Sequence, residues 1–111
     1  MFGSAAWRRH RAAKVQTACE RLARDLHGRA AVREAEGVVE SAWIDGLDQA
    51  EQTDPTIRSL LEREREAFDE ATRQRAAEAE KDRRRLAALT EELAQLTHDA
   101  DDPAVRAAPP H

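Results

Sequence analysis

Apolar side chains in this chain recur three and four residues apart, and that spacing predicts three helices rather than strands. Ser4 suits the N-cap of a first helix over about residues 5–27, because its hydroxyl can accept from an early amide. His27-Gly28 suits its stop, since glycine tolerates the left-handed conformation that closes a helix. On this helix Val15, Cys19, Leu22 and Leu26 share one face, with Ala12, Ala18 and Ala23 beside them. His10, Lys14, Thr17, Arg21 and Arg24 recur on the opposite face as a basic stripe.

A second helical pattern covers about residues 29–52, with Val32, Ala35, Val39, Ala42, Trp43 and Ala50 on one face. Glu34, Glu40, Asp45, Asp48 and Glu51 occupy the other. Gly37 and Gly46 weaken it by about 1 kcal/mol each relative to alanine, and Gly46, on the apolar face, favours a close helix crossing. Asp54-Pro55 is the clearest punctuation, because Asp caps exposed amides and proline at a first helical position has no amide to lose. A third helix is expected over about residues 55–97, roughly 65 Å at 1.5 Å per residue, too long for the core of a small globule. Ile57, Leu60, Leu61 and Phe68 open its apolar face, Arg75, Glu78 and Asp82 interrupt it, and Leu86, Leu89, Leu93 and Leu96 resume it. The middle, residues 62–85, reads as a solvated helix held by pairs such as Asp69 with Arg73 and Glu80 with Arg84.

The expected fold is therefore all-α. A short head packs the first two helices against the start of the third, which projects as a charged arm to a short leucine zipper-like segment. Residues 1–98 would form one elongated helical domain, and residues 99–111, with Pro103, Pro109 and Pro110, a disordered tail.

Composition narrows this picture. Of 111 residues 36% are charged, and alanine supplies much of the 41% hydrophobic content, so any core is small and an oligomer is expected to complete it. With four aromatics (Phe2, Trp7, Trp43, Phe68), no tyrosine and a helical Ala/Glu/Arg/Leu bias, a β-sandwich or α/β enzyme is not expected. The single cysteine, Cys19, rules out an intramolecular disulfide and fits a reducing, cytoplasmic setting, with its thiol inert on an apolar face. No run has the roughly 20 apolar residues of a membrane span, and no apolar core follows the basic run from Trp7 to Arg11 as in a signal peptide.

The net charge of −4 hides blocks of opposite sign. Residues 1–33 carry eight Arg or Lys against Glu20 and Asp25, net +6, whereas residues 34–56 carry seven acids and no base, net −7. Fields of this kind act over about one Debye length, roughly 8–10 Å.

Candidate chemistry points to partners rather than catalysis. Leu86, Leu89, Leu93 and Leu96 have the 3-4-3 spacing of a coiled-coil seam, too short to hold an isolated pair, and need a covering helix from this chain or another. Arg75 and Asp82 within the same seam argue against one long zipper and favour an antiparallel or short-overlap association, where such charges find opposite partners or stay in water. Trp43 is expected in the helical core and Trp7 at a bundle end; either is an anchor for a partner helix. The basic face of the first helix (His10, Lys14, Arg21, Arg24) matches an anionic backbone, so nucleic acid is a second partner class, though no base-reading motif accompanies it. His10, His27, His98 and His111 are scattered; His98 with Asp101 or Asp102 is at most a weak surface metal site, so no metal or cofactor is expected. No phosphate loop or nucleophile setting occurs. The sequence thus predicts a non-enzymatic interaction or assembly protein, a homo-oligomer or a subunit of a complex, with no membrane partner.

Overall fold

A computed structural model describes the backbone of residues 4–101 and the side chains of residues 5–98. Helix α1 (Ser4–Thr53) leads through a short 3-10 turn (Pro55–Ile57) into α2 (Arg58–Asp101). The predicted tail falls almost wholly beyond these residues; the backbone of residues 99–101 is still helical, and residues 102–111 lie outside the description.

The described chain is all-helical, but it has two long helices where the apolar pattern predicts three. Helix α1 passes through Gly28 unbroken. Glycine permits a helix end without forcing one. Ending there would strand four carbonyls and four amides, and the residues that follow, Arg29-Ala30-Ala31-Val32, supply no capping side chain for the new N-terminus. Continuity costs only the entropy of one interior glycine, about 1 kcal/mol. The predicted head of two helices folded against the start of a third is therefore absent.

Asp54 makes the real break. Proline at 55 disfavours helical geometry in the residue before it, and Asp54 is extended at φ −138°, ψ 94°. Its amide still donates to Ala50 O at 2.9 Å, closing α1. Its carboxylate accepts from Thr56 N at 3.1 Å and from Thr56 Oγ1 at 2.6 Å, opening the next turn. These hydrogen bonds hold the carboxyl below its usual range, the Thr56 hydroxyl contributing most.

The chain forms two compact units: the first joins Met1–Leu26 with Asp82–His111, and the second is His27–Lys81. In the first, Val15 and Leu22 are buried, and Ala12, Cys19, Leu26 and the four leucines 86, 89, 93 and 96 are half-buried. Arg11 ties the two segments by an ion pair to Glu92 at 2.7 Å. In the second unit Leu47 and Leu61 form the core, Leu61 only 1% exposed, with Ile44, Leu60 and Phe68 half-buried. Arg65 pairs with Asp48 at 3.0 Å and Arg75 with Glu40 at 2.6 Å, so α2 runs antiparallel to α1 here.

The middle of α2 is not the free solvated arm that the sequence predicts. The Arg75 side chain is 15% exposed, and Asp82, in the first unit, is 6% exposed and engaged by a partner. Local pairing also differs in detail, since Arg73 joins Glu70 at 2.6 Å rather than Asp69.

Inward positions recur at sevens along both helices. In α1, Ala12, Cys19, Leu26, Arg33, Glu40 and Leu47 are seven apart and all buried or half-buried. In α2, Leu61, Phe68, Arg75, Asp82, Leu89 and Leu96 are likewise seven apart and all buried or half-buried. A row of sevens drifts slowly around a helix of 3.6 residues per turn, so its companion row in α1 changes, from Arg8, Val15 and Leu22 to Gly37, Ile44 and Glu51.

Candidate functional site

The slow drift of the inward row decides which residues of α1 are left for partners. Sevens continued from Leu22 pass through exposed Arg29 and Glu36 to Trp43, whereas the half-buried positions are Gly37 and Ile44, one residue further on. Trp43 is consequently 52% exposed rather than in the core, and Val32, Val38 and Val39 are exposed with it, Val39 by 69%. Apart from half-buried Ala50, the face expected to be buried in residues 29–52 is exposed. The inner face holds Arg33, Gly37, Glu40, Ile44 and Leu47, less apolar yet correctly placed.

Beside Trp43, in the second unit, lies a cleft of about 80 Å³ lined by Glu40, Ile44, Glu64, Ala67 and Phe68 as well as the indole. Glu40 Oε2 is buried there and, although 2.6 Å from Arg75 Nη2, has no well-aligned hydrogen bond. The Glu40 carboxylate is the main reason the Arg75 guanidinium is held above its usual pKa, against the opposing cost of burial, and Glu36 at 3.9 Å adds to it. Among the described residues Glu34, Asp45 and Glu64 have no basic partner, so the acidic surplus of this unit remains exposed.

The first unit carries the opposite charge. His10, Lys14 and Arg21 line a shallow depression of about 380 Å³ whose remaining walls are Ala13, Thr17 and Ala18. Arg24, also named from the sequence, is exposed but does not line it. Among the described residues Lys14, Arg21 and Arg24 have no carboxylate partner. Trp7 is 60% exposed in this unit. The leucines expected to meet a partner are half-buried in the unit that also holds Val15 and Leu22.

Sequence reasoning missed Glu64 and Phe68 as neighbours of Trp43. The signal was the turn: once Asp54-Pro55 folds α2 back, residues after it come to lie beside residues before it, as Arg65 does with Asp48 at 3.0 Å.

Cys19 is half-buried. Among the described residues no three His, Cys, Asp or Glu side chains gather to hold a metal; the side chains of Asp101 and Asp102 lie outside the description, so the pairing proposed for His98 does too. No helix among the described residues is long and apolar enough to cross a membrane. The chain matches no protein-family model, no curated protein and no solved structure.

Proposed function

We propose that this chain is a non-enzymatic helical interaction or assembly protein that joins other chains through an outer face of α1. One observation carries the reading: Val32, Val39 and Trp43, all more than half exposed, share one face of a single helix. Scattered surface apolar residues need no explanation, but a cluster with an indole at its end is the composition of a contact core. Leaving it in water forfeits roughly 25 cal/mol for every Å² that a partner would cover.

A photo-crosslinking amino acid at Trp43 tests this in extract from the source cell, with the same probe at exposed Gln49 as control. Discrete cross-linked species specific to position 43 are expected, whether they contain a second copy or another protein. Equal, diffuse labelling from both positions would refute the reading.

A second reading, a nucleic-acid accessory surface, is favoured only by the depression that gathers His10, Lys14 and Arg21. Counterion release would make such binding fall steeply with salt. Anisotropy titrations of duplex and single-stranded DNA at two salt concentrations test it, and binding unchanged by Lys14→Gln with Arg21→Gln would exclude this surface.

A further inference from the structure

The two surfaces on α1 are complementary to each other. On the second unit an indole projects beside a cleft bearing Glu40 and Glu64, in a stretch of chain with seven acids and no base. On the first unit a depression floored by small side chains, Ala13, Thr17 and Ala18, is rimmed by His10, Lys14 and Arg21 in a stretch of net +6. An exposed indole meets an open face of small side chains, and acid meets base. We propose that Trp43 of one copy seats in the Ala13–Ala18 depression of a second copy of this chain, with Lys14 and Arg21 of that copy reaching the indole face and Glu64. The inference rests on the assembly function proposed above and names its partner.

Three observations favour a second copy over an unrelated protein. The cations on the rim and the acid at the cleft all lack partners within the chain, among the described residues. Their surplus is of opposite sign on the two surfaces, so this chain already carries the complement that each requires. Finally, both surfaces belong to α1, and stretches of one continuous helix do not fold onto each other, so the contact forms between copies. A cation over the face of tryptophan adds attraction that strengthens as water leaves, and a tryptophan in a pocket is a common anchor of such interfaces.

Sedimentation equilibrium of the full chain across a concentration series tests the proposal, with circular dichroism to confirm that each variant stays helical. The mass is expected to rise above that of one chain with concentration, and association to weaken at high salt. Trp43→Ala, and separately Lys14→Glu with Arg21→Glu, should each weaken association at least tenfold. Adding Glu64→Lys to Lys14→Glu should recover part of the loss by exchanging the charges. Should Trp43→Ala lower helicity, the charge variants decide alone, since their side chains lie on the surface.

A wild-type chain that stays monomeric at every concentration overturns the self-contact; the cross-links at Trp43 then tell separately whether another protein binds there. Self-association that persists undiminished in Trp43→Ala and in Lys14→Glu/Arg21→Glu also overturns it, while leaving an assembly function acting through some other face. If the charge variant loses only DNA binding and keeps its mass, the depression serves nucleic acid and the proposal falls.

Discussion

Arg11 donates through Nε at 3.0 Å and Nη2 at 2.7 Å to one oxygen of Glu92, across 81 positions of sequence. Both side chains are partly exposed, so the pair fixes alignment more than it adds stability; exposed pairs contribute about 0.2–1 kcal/mol. Arg11→Glu should therefore cost more than that range by setting two acids face to face, and Arg11→Glu with Glu92→Arg should restore most of the loss. Urea unfolding of the four proteins in the cycle measures it, and a double variant no better than the single one would mean that the contact is not formed.

Gly28 offers a test of helix continuity. A Cβ built there meets nothing within 4 Å, and its backbone is helical. Gly28→Ala should stabilise the chain by about 0.5–1 kcal/mol and slightly raise its helicity. Destabilisation would show that the helix ends at this residue after all.

Truncating the core gives the largest effect. Leu61→Ala, at the most deeply buried side chain described, should lower stability by about 2–5 kcal/mol. Leu60→Ala, one residue away and only half-buried, should cost clearly less; chemical denaturation of the two variants compares them directly.

The turn predicts an acid response. The Asp54 carboxyl titrates below its usual value because Thr56 donates to it, and Glu70 does likewise, chiefly through its hydrogen bond from Arg73. A depressed folded-state pKa contributes stability that is complete above the unfolded value and disappears as pH falls through the folded one. Melting temperature should thus decline below about pH 4. Asp54→Ala should lower it by a few degrees at pH 7 and narrow its difference from wild type at pH 2. A constant difference across that interval would assign the loss to something other than the carboxylate.

Arg75 and Glu40 should behave asymmetrically. Arg75→Met leaves Glu40 beside an apolar seam with its nearest cation gone and should be destabilising, whereas Arg75→Met with Glu40→Leu should recover the wild-type stability or exceed it. If the double variant also aggregates or changes its mass, the ion pair is acting as a register device rather than as a source of stability. Thermal melts and sedimentation of both variants distinguish these outcomes.

The apolar faces of the first unit were legible, since Val15, Leu22 and the leucines 86–96 stand out in any helical projection, but that they belong to one unit was not. Asp54-Pro55 was equally readable, since proline and a capping acid act locally. The second unit was not. Its inner face contains Arg33, Gly37 and Glu40, with Arg75 neutralising Glu40. The valines and Trp43 on the outside looked more like a core than the core did, and only the pairing with α2 could correct that.

Within the second unit, the two ion pairs limit how the length of the chain can change. Loss of four residues between Glu40 and Asp48 would move Glu40 about 6 Å along its helix relative to Arg75 while Asp48 still met Arg65. Insertions and deletions there should therefore be tolerated in compensating pairs, one on each side of the turn at Asp54-Pro55.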